Sequence, residues 1–329
     1  AYKSVKGESL MSQTILVAPG KNALANAVHL AADNESSTLI LIDGANYEVK
    51  NTIAISGALK VVSSSWMAGQ RMHPALMNEY ERFNMPNILP ASNFQGDALF
   101  SVAGMSDVEF SGVSMRGSHI DARQSVRYGF ITDADNSFGD YRFSLNGIVA
   151  REFTQSNGAF FKGLAQSFAR TGKVNHSLFD NVTGAFVFDE ETDDEGRYNI
   201  EELHISNSRF QNSSGALVHL YRGGMDESTF GPFLFIDNSE FINNSATGAQ
   251  EVLNLTGVQV VRIRNSHFQN NGNYIKLMNL KGAKKSISQS TVDKQDRITT
   301  ENNAVIRGLT INNRKNNQTR RTGVVGFAM

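Results

Sequence analysis

Along most of this chain apolar and polar residues alternate with a period of two, in short runs broken by Gly, Asn or Ser. Leu203-His204-Ile205, Ala216-Leu217-Val218-His219-Leu220 and Val261-Arg262-Ile263 are examples. Such runs put successive side chains on opposite faces of a strand. Four segments then repeat one another: Ser177-Leu178-Phe179-Asp180-Asn181, Ser208-Arg209-Phe210-Gln211-Asn212, Ser239-Glu240-Phe241-Ile242-Asn243 and Ser266-His267-Phe268-Gln269-Asn270. Their aromatic positions are separated by 31, 31 and 27 residues. Repeats of roughly 20–50 residues mark stacked architectures, in which each unit buries its apolar face only against its neighbours. Here the unit is a set of short strands, so the stack is a solenoid of strands.

One coil can be read in detail. Around Ile205, Asn207-Ser208 and Phe210 the strand is expected to bend before Phe210, which turns into the core. Asn212 then closes the segment at a turn, where asparagine tolerates left-handed backbone and can bond nearby amides. Asparagines at equivalent turns of successive coils are expected to stack into a ladder. Weaker copies lie at Val108-Glu109-Phe110-Ser111-Gly112-Val113, at Ile148-Val149-Ala150-Arg151-Glu152-Phe153 and at Ala304-Val305-Ile306-Arg307-Gly308-Leu309. The predicted stack therefore runs from about residue 14 to about residue 313. The fold class this predicts is all-β, a right-handed single-stranded parallel β-helix.

The first residues add a cap to that solenoid. Residues 1–13 are polar and nonperiodic, as a linker or short leader would be. Thr14-Ile15-Leu16-Val17-Ala18 reads as a strand, and Asn22 to Ala32 as an amphipathic helix with Leu24, Ala27, Val28 and Ala31 on one face. A helix there would cover the open end of the first coil, an edge otherwise able to recruit another chain. Thr38-Leu39-Ile40-Leu41-Ile42 follows, and Asp43-Gly44 turns the chain into the next face. The chain opens with Ala1-Tyr2-Lys3, without initiator Met or signal peptide, which predicts a segment removed upstream.

Composition narrows the chemistry. Apolar residues make up 40% and there are only 5 prolines, which excludes a disordered or collagen-like chain. The formal net charge of −1 gives no global field for nucleic acid or anionic membranes. The absence of cysteine removes disulfides, thiolate metal sites and a thiol nucleophile together. No apolar run approaches the ~20 residues of a membrane helix.

With the order of elements in 14–62, the run Leu41-Ile42-Asp43-Gly44-Ala45-Asn46-Tyr47 and the coil signature Asn-Ser-x-Phe-x-Asn, the chain resembles β-helix polysaccharide lyases of the chondroitinase B and alginate lyase family. Some members join two β-helix domains in tandem, with catalysis in the first. Residues 1–13 followed by a capping helix resemble the junction before the second. The resemblance implies a bacterial, secreted or periplasmic protein that acts on an acidic polysaccharide such as alginate by β-elimination from uronic acids. Those enzymes place a Lys base and an Arg acid on neighbouring coils beside calcium held by Asn and Glu. Here Gln250-Glu251-Val252-Leu253-Asn254-Leu255-Thr256 begins like the family motif, but Leu255-Thr256 replaces its Lys-Ser. No Arg-His-Gly follows, the stretch being Asn273-Tyr274-Ile275-Lys276-Leu277. No catalytic residue is carried over, and the expectation is an accessory C-terminal domain with an upstream catalytic β-helix or a second subunit as partner. The alternative is a non-catalytic carbohydrate-binding or adhesive β-helix of a surface or tail-fibre protein.

The residues themselves offer three regions. If Leu220 and Leu253 point inward, His219 and Tyr221 face outward near Asn254 on the next coil and Lys276 beyond it. Coils stack about 4.8 Å apart, so these groups could converge on one sugar. Elimination from a uronate needs a neutralised carboxylate, a base at C5 and an acid for the leaving oxygen. His219 or Lys276 would be the base, Tyr221 the acid, and Arg222 or Asn254 the carboxylate partner. The alternative is an ordinary solvent-facing sheet. The acidic run Asp189 to Glu195 is the second region: Asp189, Glu190 and Asp193 would hold Ca2+, the possible cofactor, though the spacing of a helix-loop-helix calcium loop is absent. The third is the insertion 64–94, rich in Trp66, Met67, Met72, Met77, Tyr80, Phe83 and Met85, expected either to cover the first coils or to dock on a partner domain.

Overall fold

The structure, a computed structural model, describes residues 12–32, 34–133, 139–192, 195–223, 230–244 and 251–271 with their side chains, and the strands between 273 and 327 by their backbone. The chain is a parallel β-helix, the class that the repeat predicts. Each coil contributes strands to three faces. The first face stacks Ala169–Asn175, Ile200–Ser206, Phe233–Asp237 and Val260–Arg264. The second stacks Leu178–Val182, Arg209–Gln211, Glu240–Ile242 and His267–Gln269. The third stacks Ala159–Lys162, Phe186–Phe188, Val218–Tyr221, Leu253–Thr256 and Asn273–Met278. Pairing is parallel from coil to coil, with local register shifts near Asn51, Thr171 and Ile275, until Ala304–Lys315 and Gln318–Phe327 close antiparallel.

The repeat residues do what their chemistry demands. Phe179, Phe210, Phe241 and Phe268 are buried on successive rungs of the second face. Their rings stack at centroid distances of 4.7, 4.8 and 4.7 Å with interplanar angles of 7°, 4° and 3°. Asn181, Asn212, Asn243 and Asn270 take left-handed φ values of 55°, 57°, 56° and 56°, as the turn reading requires. The Asn270 amide donates to Asn243 Oδ1 at 2.9 Å, one rung of the expected ladder. A second ladder lies inside: the Asn244 amide donates to Asn271 Oδ1 at 2.9 Å and to the Phe210 carbonyl at 3.0 Å.

At the other end, helix α1 (Ala23–Ala31) buries Leu24, Ala27, Val28 and Ala31 in the same core as the first strands, Gln13–Val17 and Ser36–Leu41. No helix among the described residues is long and apolar enough to cross a membrane.

The inserted segment differs from expectation in extent. It holds two short helices, α2 (Ser64–Met67) and α3 (Glu79–Phe83), and ends where the strand Asn87–Val102 begins, so residues 87–94 belong to the helix wall. Asn78 and Glu81 form a capping box at the start of α3. Met72, Met77 and Met85 pack on Val149 and Leu178, so the segment lies along the side of later coils as well as the first ones. The corner beneath it shows why. Gly112, Gly147, His176, Asn207, Asn238 and Asn265 hold the same corner on consecutive coils, all with positive φ between 48° and 67°. Where the segment covers this corner the residue is glycine: a Cβ on Gly147 would sit 2.7 Å from the Met72 carbonyl and 3.0 Å from the Trp66 ring. Next comes His176, whose ring meets His73 edge-on at 4.7 Å, and then asparagine.

Candidate functional site

Period-two alternation along the third face sends one column of side chains outward. In register, that column reads Ile131, Lys162, Val187, His219 and Asn254, and the backbone of Lys276 pairs with Asn254 on the next rung. His219, Asn254 and Lys276 thus occupy consecutive rungs, as expected, with Tyr221 pairing with Thr256 in the next outward column. His219, Asn254 and Tyr221 are half-buried. Lys276 is placed by its backbone, and its side chain lies outside the described residues.

A groove of about 300 Å3 opens on this face. Lys162, Asp189, Glu190, His219, Asn157 and Arg127 line it, with Tyr128 at one side beneath the Arg127 guanidinium at 5.2 Å. Its chemistry centres on Lys162, a residue that the sequence reading did not single out. The ammonium lies 2.5 Å from Asp189 Oδ1 and 2.8 Å from Glu190 Oε1. The second oxygen of Asp189 lies 3.1 Å from His219 Nδ1. One carboxylate therefore links a lysine on one coil to a histidine two coils on, fixing the orientation of the imidazole. Burial pulls the Lys162 pKa down, but the hydrogen bonds and charges of Asp189 and Glu190 outweigh it and hold the ammonium above the ordinary lysine value. It is a fixed cation and not a base at neutral pH.

The other expected site residues have different surroundings. Arg222 does not face a ligand on the outer surface. It is 2% exposed, and its Nη1 donates to the carbonyls of Phe230 and Gly231 at 3.0 and 2.7 Å. Its guanidinium also lies over the Tyr198 ring at 4.9 Å, so its planar group is spent on the fold. In the calcium reading, Asp189 and Glu190 would meet a competing cation already in place. Both carboxylates share the Lys162 ammonium, which a metal would have to displace. Asp193 lies outside the described residues, and among those described no three His, Asp or Glu side chains cluster as metal ligands.

No protein-family profile matches the chain, and no curated protein matches it. Solved structures do. The likeness is one of fold. A structure of the PL6 family alginate lyase AlyGC superposes with a TM-score of 0.75 at 24% identity, covering 94% of this chain and 41% of that one. A point mutant of the same enzyme gives 0.75 at 23% identity, with the same coverage. The tailspike protein gp49 from Acinetobacter baumannii bacteriophage Fri1, a capsular polysaccharide depolymerase, superposes at 0.47 with 11% identity, over 92% of this chain and 57% of its own. The chain spans about two fifths of the length of the lyase structures it matches.

Proposed function

We propose that this β-helix is a module of a polysaccharide-lyase-type protein acting on uronic-acid glycans such as alginate, and that it serves beside a catalytic β-helix instead of supplying the catalytic centre. The observation that carries this reading is the state of the site's cations. β-Elimination needs an uncharged base close to C5 of the uronate and a cation free to neutralise its carboxylate. Lys162 is held protonated between two carboxylates, and Arg222 is turned onto backbone carbonyls. His219, Tyr221 and Asn254 remain as a row that can contact sugar hydroxyls, with no carboxylate-binding cation set among them. The likeness in fold to an alginate lyase of more than twice this length agrees with a module inside a larger enzyme. Residues 1–13 as a linker and 14–329 as one β-helix domain complete the proposal, with a bacterial secreted or periplasmic protein as its setting.

The test is the ultraviolet absorbance of the unsaturated uronate that β-elimination creates. The chain is incubated with alginate, polyguluronate, polymannuronate and chondroitin sulfates, with and without calcium. The expected outcome is a flat trace throughout. A rising signal abolished by His219→Ala or Lys276→Ala would overturn the accessory role and make this face the active site.

A further inference from the structure

The first face carries a second outward column, and its chemistry differs from that of the groove. Lys173, His204, Phe235 and Arg262 pair in register on four consecutive rungs. The His204 ring stacks on Phe235 at 4.8 Å and 29°, and the Arg262 guanidinium lies over the Phe235 ring at 4.7 Å. With its faces met by neighbouring rungs, Phe235 acts as a spacer between an imidazole and a guanidinium. Holding long polar side chains in one geometry at an exposed site costs rotamer entropy, and no core gain offsets it.

The two faces hold their cations differently. In the groove of the third face Lys162 is paired with Asp189 and Glu190 and His219 with Asp189, while Arg127 at its edge lies over the Tyr128 ring at 5.2 Å and donates to the Asn157 carbonyl at 3.4 Å. On the first face it is the carboxylates that are engaged. Glu202 pairs with His204 at 3.1 Å, and Asp237 with Arg264 at 3.2 Å and with the Asn265 amide at 3.3 Å. Among the described residues, exposed Lys173 and Arg262 have no carboxylate partner. They stand three rungs apart, about 14 Å at the usual strand spacing. Each rung advances by a length comparable with one sugar of an extended uronan. Asn175 and Ser206 lie in the next outward column, offering hydrogen bonds to hydroxyls.

We propose that this column binds an extended anionic oligosaccharide lying along the helix axis, with carboxylates at Lys173 and Arg262 and a further contact at His204. Phe235 is a positioning residue. The proposal rests on the acidic-glycan reading above and moves recognition from the third face to the first.

Titration calorimetry of the whole chain with hexaguluronate, hexamannuronate and the neutral hexasaccharide cellohexaose tests it. Both uronates bind and the neutral sugar does not. Lys173→Ala and Arg262→Ala each weaken binding about tenfold, together roughly a hundredfold, and flatten its salt dependence. Lys50→Ala, which removes an exposed lysine elsewhere, leaves affinity unchanged. Phe235→Leu weakens binding while keeping the salt dependence, and Phe235→Tyr restores it, which a purely structural role would not predict. Wild-type affinity in the double variant, equal binding of cellohexaose, or no binding of either uronate overturns the proposal. Uronate binding that survives the double variant but disappears in His219→Ala returns recognition to the groove and leaves the proposed module intact. Cleavage by the chain alone would remove the accessory role without touching the result for this column.

Discussion

At the corner before each inward phenylalanine a buried serine hydroxyl makes two bonds. Ser208 Oγ donates to the Ser206 carbonyl at 2.8 Å and accepts the Ser177 N–H at 3.2 Å, and Ser239 and Ser266 repeat this on the next coils. A backbone N–H at such a corner has left the strand ladder, and burial makes an unmet donor expensive. Ser208→Ala is therefore expected to cost about 1–3 kcal/mol, and Phe210→Ala about 3–5 kcal/mol through the cavity left in the ring stack. Urea unfolding ranks the two, and a neutral Ser208→Ala would show that the serine ladder contributes nothing. Lys162 makes a prediction in pH. Its folded pKa is raised, so the stability from its ion pairs is complete below the ordinary lysine value of 10.5 and is lost as pH rises through the higher folded value. Denaturation midpoints in the alkaline range should fall more steeply for the wild type than for Lys162→Met; parallel curves would refute the pairing.

The inserted segment is the element whose attachment can be switched. His73 packs edge-on against His176, and Arg209, Glu240 and His267 line the small cavity beside it. Burial and then the neighbouring His176 depress the His73 pKa, only partly opposed by a bond to its own backbone and by Glu240. With the folded value below 6.5, docking is favoured above that pH and weakens as pH falls through the folded value. Hydrogen exchange across residues 64–85 should accelerate on acidification, and His73→Phe, which keeps a ring against His176, should remove most of that response. Exchange insensitive to pH in the wild type would show that other contacts hold the segment.

Elements of this kind were unequally legible in the sequence. Period-two runs and the spacing of 31, 31 and 27 residues were enough for the strands and the inward phenylalanines, and the helical spacing of Leu24, Ala27, Val28 and Ala31 for the capping helix, because each follows from local pattern. The column Lys173, His204, Phe235 and Arg262 keeps those same steps from coil to coil and was readable, had the residues between the apolar positions been aligned too. Lys162 was hidden because its coil carries Ile148-Val149-Ala150 where the next coil carries Ser177-Leu178-Phe179, so the signature that anchors the register is missing there. Parity alone turns Arg222 inward, two residues past inward Leu220. What the sequence hid was that the fold brings carbonyl acceptors to it there.

For the whole molecule, stacking in one dimension leaves the ends as the exposed edges. Strands of the coils between them pair with neighbours on both sides, whereas an uncovered terminal coil offers a row of donors and acceptors to any other strand. Helix α1 covers one such end with Leu24, Ala27, Val28 and Ala31 against the core that Val17, Leu39 and Leu41 share. The cap thus protects against association as much as it adds burial. Its removal should therefore change the assembly state before it unfolds the stack, because each coil depends only on adjacent coils. In Leu24→Asp/Val28→Asp, two buried carboxylates without partners would drive the helix off its seat. Light scattering after size exclusion should then show larger species that grow with concentration, while the strand signal in circular dichroism persists. Unfolding without association would locate the role of α1 in stability, and an unchanged mass with the helix displaced would mean that the first coil protects its own edge.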